Sequence, residues 1–185
     1  MDPAEYLAFV PLLFYGIALA DLLGQWRRFF DRNYFYFPYF LTTIIFTEAG
    51  VWNVYQYLEI VSRLEGVSYA QYWLYLVQPI IFLLTVSALT PEFEIKDTES
   101  YFKERLSLVY GLLAIFIFSH FFSGFSSMIA VSFLKYTRII LAFLSIIIAF
   151  IKRIWLIYLM AVIAVAKAIR TFFCSLFPVP CSLKI

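Results

Sequence analysis

Histidine, cysteine and charged side chains are scarce in this chain of 185 residues, and each shortage excludes a class of site. The one histidine, His120, cannot build a histidine-rich metal site or bind a haem iron from both sides. Its place near the end of an apolar block is typical of an interfacial or capping residue. Cys174 and Cys181 lack the further Cys or His residues that a metal site or a disulfide framework requires. We therefore expect neither a metal nor another cofactor.

The sequence motifs of common enzyme classes are also missing. The chain has no G-x-S-x-G nucleophile elbow, no H-E-x-x-H pair, no phosphate-binding loop and no dinucleotide fingerprint. Its net charge of +2 is too small to indicate a nucleic-acid partner, and the basic residues are spread over short loops. The sequence predicts a protein that is not an enzyme, has no catalytic residues and does not bind nucleic acid.

Hydrophobic residues dominate instead. They make up 64% of the chain, aromatic residues 22% and charged residues only 14%, a composition far from that of soluble domains. The apolar residues form long blocks, and about 17 to 25 apolar residues cross the roughly 30 Å of hydrocarbon in a bilayer. We predict an all-α integral membrane protein, in which residues 1–185 form a single multi-pass helical bundle in contact with the lipid bilayer.

The pattern of blocks fits about six transmembrane helices. Their predicted bounds are 6–23, 38–58, 72–89, 106–122, 137–151 and 154–173. The last two are the least distinct, because Lys135, Arg138, Lys152 and Arg153 interrupt a nearly continuous apolar stretch. A fifth span that begins near Met128 is one alternative, and totals of five or seven spans are others.

Lysine and arginine are unevenly distributed over the predicted loops. The first, third and fifth loops carry eight of them, whereas the opposite side of the first four spans has only Arg63. Positive residues in short loops are retained on the cytoplasmic side. We therefore predict that the amino terminus lies outside, and with six spans the carboxyl terminus lies outside too.

Glu48 is the most informative residue, because it is ionisable and lies near the middle of the second predicted span. A lone carboxylate in hydrocarbon is costly enough that it is either paired or functional. At about 100° per residue, it shares one helix face with other polar and aromatic side chains. That face consists of Glu48, Trp52, Tyr55 and Glu59, with Gln56 at its margin. Asn53 lies away from the face, and we expect it to bond a different neighbour.

Two residues of other spans lie at a depth similar to that of Glu48, since a helix rises about 1.5 Å per residue. Gln78 is within a turn of the middle of the third span, and Lys167 is within a turn of the middle of the sixth. Glu48 would form an ion pair with Lys167 or, when protonated, a hydrogen bond with Gln78. In the second case the aliphatic stem of Lys167 would carry its ammonium group outward, toward the membrane surface. The sequence leaves both possibilities open.

Three features between residues 12 and 120 carry a resemblance. The stretch from Gly16 to Leu23 precedes an arginine-bearing loop, Gln78-Pro79 lies in the third span, and Pro91 precedes an acidic loop that ends in Tyr101-Phe102. In this layout the chain resembles small uncharacterised bacterial multi-pass membrane proteins. The resemblance implies a helical bundle without implying an activity. We also predict that this bundle lies in the bacterial inner membrane.

Small residues recur at intervals that allow helix backbones to approach closely. They are Gly16 and Ala20 in the first span and Ala161, Ala164 and Ala168 in the sixth. They predict tight contacts either inside the bundle or with a partner, which would be a second copy of the chain or another membrane protein.

Two functional classes fit these observations. The first is a non-enzymatic membrane component, such as a sensor, anchor or assembly subunit, whose buried polar residues specify helix packing. The second is a small oligomeric transporter or channel for ions or protons that uses Glu48, with its route lined by Trp52, Glu59 and Gln78. We favour the first, because one carboxylate near the midplane of so short a chain is thin evidence for transport.

Overall fold

The described residues of the chain are helical and contain no strand. A computed structural model describes residues 3–31, 34–60, 68–91, 97–122 and 132–176, and near several helix ends it describes the backbone alone. The helices are α1 (Pro3–Phe29), α2 (Phe37–Ile60), α3 (Tyr69–Leu89), α4 (Thr98–Phe122), α5 (Ser132–Ile151) and α6 (Trp155–Leu176). The all-α class is confirmed, and each predicted span overlaps one helix.

Several helices extend beyond the spans assigned to them. The first helix continues beyond the apolar block that ends at residue 23. It includes Arg27 and Arg28 in its last turn and ends at Phe29. The fourth begins eight residues before the predicted start at residue 106. There the Asp97 carboxylate accepts hydrogen bonds from the amides of Glu99 (3.0 Å) and Ser100 (3.2 Å), which satisfies two of the free donors of a helix start.

The fifth helix begins at Ser132, before the predicted start at residue 137. Met128, the alternative start, lies outside the described residues. At the other end, the left-handed backbone of Lys152 (φ 54°) reverses the chain into the sixth helix.

Three of the described helices are long and apolar enough to cross a membrane, namely Phe9–Phe29, Tyr69–Leu89 and Thr98–Phe121. The described apolar parts of α5 and α6 are shorter, at Tyr136–Ile151 and Trp155–Ile169. Helix α2 is not among the three, although it has 24 residues, because threonine, glutamate, asparagine and glutamine side chains lower its hydropathy. A membrane bundle is therefore supported, and the total of six spans stays a prediction.

The surface of the described bundle is apolar, whereas many polar side chains lie inside. Phe143, Phe150 and Val162 are 56%, 84% and 66% exposed, while Thr42 and Ser145 are fully buried. A protein that folds in water normally shows the opposite distribution. Extensive exposed apolar surface marks a site of contact with a membrane or another protein.

The six helices of the described residues close into a ring. Around it, α1 packs on α2, α2 on α6, α6 on α5, α5 on α4, α4 on α3, and α3 on α1. A further contact between α2 and α4 crosses the ring and divides it into two compartments. One compartment is enclosed by α1 to α4, and the other by α2, α4, α5 and α6.

Hydrogen bonds from tyrosine side chains join the helices at both ends of the bundle. At the first end, where α1, α3 and α5 begin, the Tyr72 hydroxyl donates to the Leu7 carbonyl (3.0 Å). At the second end, where α2, α4 and α6 begin, the Tyr39 hydroxyl donates to the Leu89 carbonyl (3.3 Å). Consecutive helices therefore alternate in direction.

The compartment between α1 and α4 is filled by aromatic rings around Gly50. The Phe82 ring is fully buried and lies 5.4 Å from the Tyr15 ring and 5.2 Å from the Phe116 ring, measured between centroids. A Cβ atom built on Gly50 would lie 2.7 Å from Leu19 Cδ2 and 3.0 Å from Phe82 Cζ. A glycine at this position therefore lets the Leu19 and Phe82 side chains of α1 and α3 pack directly against the backbone of α2.

We expect Gly50→Ala to lower the free energy of unfolding by about 1 kcal/mol, because overpacking against a buried ring outweighs the better helix propensity of alanine. The matched control is Gly111→Ala on α4, where a Cβ meets nothing within 4 Å. The control should be neutral or stabilising by about 0.5 kcal/mol. Unfolding in mixed micelles titrated with SDS measures both, and equal effects of the two substitutions would contradict the packing described for Gly50.

Candidate functional site

The second compartment contains a cavity of about 70 Å³ between α2, α4, α5 and α6. About 10–15 Å³ is enough for one water-sized group, so the space accepts a small molecule of a few heavy atoms. Part of its wall is apolar and includes Ile45, Leu113, Leu141 and Met160. Each of the four helices also contributes at least one polar side chain. The polar lining consists of Glu48, Trp52 and Asn53 from α2, His120 from α4, Arg138 from α5 and Lys167 from α6.

Helix α2 turns two adjacent rows of side chains toward the cavity. Glu48 and Trp52 form one row, and Ala49 and Asn53 form the next, as expected for positions four residues apart on a helix. The predicted face also included Tyr55, which the structure does not place in the cavity lining. Tyr55 is 55% exposed, and its ring lies beside that of Trp52 at 5.9 Å. Tyr55 thus lies outside the cavity lining.

Glu48 forms an ion pair with Lys167. The Lys167 Nζ atom lies 3.7 Å from Glu48 Oε1, and the lysine side chain is only 11% exposed while that of the glutamate is 31% exposed. The same ammonium group lies 5.5 Å from the centroid of the Trp52 ring, within the range of a cation–π contact. Of the two partners proposed for Glu48, the structure places Lys167 beside it.

Gln78, the other proposed partner, is fully buried in α3 and is not part of the cavity lining. Helix α3 packs against α1 and α4, on the other side of the ring from α6. The side chain of Glu59 lies outside the described part of the chain, so the outer end of the predicted stripe is not placed.

Asn53 and His120 join α2 to α4. The Asn53 Nδ2 group donates to the Ala49 carbonyl (2.6 Å), which turns the amide oxygen toward His120 Nε2 at 2.7 Å. The other ring nitrogen, Nδ1, lies 2.8 Å from the Phe116 carbonyl oxygen. A neutral imidazole can donate to one of these two oxygens, and an imidazolium can donate to both.

His120 lies in the last turn of α4, where its contact with the Phe116 carbonyl fits the predicted capping role, and it is buried inside the bundle. It is 5% exposed, because it lies where α2 and α4 contact each other across the bundle. The Phe116 side chain also packs against the imidazole, with 4.7 Å between the two ring centroids. As expected, Asn53 bonds a different neighbour from Glu48, namely His120, but it lines the same cavity as Glu48 instead of lying away from it.

Arg138 joins α5 to α2. Its Nη2 group donates to Gln56 Oε1 at 3.1 Å, and Gln56 is 9% exposed. A fifth span that begins at residue 137 leaves Arg138 beside a loop, whereas the alternative start near Met128 places it inside a helix. Because α5 begins at Ser132, Arg138 lies well inside the helix and reaches the cavity.

The cavity lining is rich in hydrogen-bond donors and carries more positive than negative charge. Among its described side chains, Lys167 and Arg138 are cations and Glu48 is the one carboxylate. In the described part of the chain, no three His, Cys, Asp or Glu side chains gather as metal ligands would. The chemistry available here is therefore ion pairing and hydrogen bonding by fixed donors.

We compared the chain with known protein families, curated proteins and solved structures. A scan against protein-family models finds no match, and searches of curated proteins and of solved structures find no similar chain.

We expect Glu48→Gln to destabilise the protein, because Lys167 would be left largely buried without its carboxylate. Lys167→Met alone should also destabilise, while the double variant should recover part of the loss. A double-mutant cycle should give a coupling free energy of about 1–3 kcal/mol, since Glu48 is only partly shielded from its surroundings.

The matched control for this cycle is the ion pair between Glu99 and Lys103. Its two side chains are closer, at 2.6 Å, but both are 51% exposed, so the same cycle should give less than about 0.5 kcal/mol. Equal coupling in the two pairs would show that burial does not strengthen the contact between Glu48 and Lys167.

Proposed function

We propose that the protein is a non-enzymatic multi-pass membrane protein with six transmembrane helices, acting as a membrane component such as a sensor, anchor or assembly subunit. The observation that carries this proposal is the set of polar contacts made by α2. Glu48 contacts α6, Asn53 contacts α4 and Gln56 contacts α5, each through one side chain of the partner helix. These contacts support a role for the polar residues in specifying how the helices pack.

The environment of the bundle makes such contacts effective. Lipid tails are as apolar as leucine, so helices in a membrane associate through close packing and interhelical hydrogen bonds instead of the hydrophobic effect. The apolar exterior supports this environment, because side chains such as Phe150 and Val162 project from the described surface. In this setting the three polar contacts of α2 define its depth and rotation relative to α4, α5 and α6.

The proposal includes an orientation in a bacterial inner membrane. Exposed basic residues at the second end of the bundle, including Arg27 at the end of α1 and Lys152 and Arg153 in the turn after α5, favour a cytoplasmic location for that end. The amino terminus and the first end would then face outward.

The small residues of the bundle separate into two groups. Ala161 and Ala164 are 5% and 7% exposed and pack inside the bundle. Gly16 lies on the outer surface, where a Cβ would meet nothing within 4 Å, and Ala20 is exposed as well. The outer face of α1 is therefore available to lipid, to a second copy or to another membrane protein.

A small oligomeric transporter or channel is the second candidate, and the cavity beside Glu48 is the observation that favours it. Against a route for cations or protons, the Lys167 ammonium lies 3.7 Å from the carboxylate and neutralises it. Arg138 adds a second positive charge to the same lining. Both cations would repel a cation that approached Glu48.

We expect the protein to remain in the membrane pellet after alkaline carbonate extraction, because its surface needs lipid. With both native cysteines replaced by serine, Tyr69→Cys at the first end should react with an impermeant maleimide on intact cells, whereas Arg153→Cys at the second end should not. Release by carbonate would overturn the membrane assignment, and the reverse labelling pattern would overturn the orientation.

We also expect proteoliposomes of the wild-type protein to show no proton or cation flux above that of empty liposomes, because Lys167 compensates the charge of Glu48. Glu48→Gln should then affect only the stability of the bundle, and Glu99→Gln serves as the exposed control. A flux that is present in the wild type and lost in a folded Glu48→Gln variant would favour the transporter over the packing role.

A further inference from the structure

The side chains that line the cavity between α2, α4, α5 and α6 include a donor with no acceptor in the described protein. The indole N–H of Trp52 is buried, and among the described residues no group accepts its hydrogen bond. An indole nitrogen can only donate. A buried donor left without an acceptor is unfavourable, so a ligand that brings an acceptor to it would stabilise the fold.

Two cations reinforce this demand for an acceptor. Arg138 and Lys167 line the cavity together with one carboxylate, so the described lining carries an excess of one positive charge when His120 is neutral. The guanidinium of Arg138 has five N–H groups, one of which is donated to Gln56. Charge that is not compensated inside an apolar bundle is strongly unfavourable, and an anion in the cavity would compensate it.

We propose that this cavity is a binding site for a small monovalent carboxylate. A guanidinium presents paired N–H groups in a planar fork that matches the two oxygens of a carboxylate, while the lysine supplies a point charge. The apolar side chains of Ile45, Leu113 and Leu141 form a wall suited to a short alkyl tail. The volume of about 70 Å³ limits the ligand to a few heavy atoms, in the size range of acetate and propionate.

This site goes beyond the packing role proposed above. The ion pair of Glu48 with Lys167 and the bond of Asn53 with His120 join helices without any ligand. The carboxylate site depends instead on the indole of Trp52, whose N–H has no acceptor among the described residues, and on the N–H groups of Arg138 other than the one donated to Gln56. Failure of one proposal would therefore leave the other standing.

The test is a titration of the purified full-length protein in detergent with acetate and propionate, at fixed pH and ionic strength. Acetamide serves as an uncharged ligand of similar shape, and chloride serves as a spherical anion. We expect saturable increases of the melting temperature and a change in tryptophan emission with the two carboxylates, and a much smaller effect of acetamide and chloride.

Variants assign the signal to the cavity. Arg138→Gln should weaken propionate binding roughly tenfold or more, because charge-assisted hydrogen bonds are lost. Trp52→Phe should remove the change in emission. Trp26→Phe is its matched control, since that indole nitrogen is also buried without an acceptor among the described residues but lies outside the cavity, near Phe40. Trp26→Phe should retain the signal.

Three results would overturn the proposal. One is the absence of any saturable response to acetate and propionate in the wild-type protein. Another is an equal response to acetamide or to chloride, which would exclude a site built for carboxylates. The third is unchanged propionate binding in Trp52→Phe together with an unchanged emission signal, and this variant keeps the test decisive even if Arg138→Gln does not fold.

Discussion

A charge inside an apolar bundle has to be paired, and this requirement determines the interior of the protein. Glu48 lies halfway along α2, and Lys167 of α6 reaches it at 3.7 Å from within the same compartment. Removing one partner of a buried pair costs far more than the pair contributes relative to apolar residues. These energetics support our proposal that the pair specifies one arrangement of α2 and α6 more than they support a role as a source of stability.

The same reasoning explains why α2 differs from its neighbours. It is the helix with the most polar interior face, and it is not among the three that are long and apolar enough to cross a membrane by themselves. Three of its polar side chains, Asn53, Gln56 and Glu48, find partners on α4, α5 and α6 in His120, Arg138 and Lys167. If α2 spans the membrane as proposed, its stability there depends on the helices that surround it. On its opposite side, Gly50 leaves room for the Leu19 and Phe82 side chains of two further helices.

Part of this arrangement could be predicted from the sequence. The six apolar blocks correspond to six helices, and matching residues by depth identified Lys167 as a neighbour of Glu48. Depth alone does not tell which helices are adjacent, so Gln78 of α3 was an equal candidate although α3 lies elsewhere in the ring. Hydropathy also misses the polar first turns of a helix, which is why Arg138 was placed at the edge of a span.

We expect the polar face of α2 to point into the bundle while lipid covers the outside. Quenching by lipids brominated at different depths tests it in variants that keep either Trp52 or the 47% exposed Trp73 as the sole tryptophan. Trp52 should be weakly quenched by bromine at every depth, and Trp73 should be strongly quenched at one of them. Quenching of Trp52 from the bilayer centre as strong as that of Trp73 at its optimum would contradict the claim.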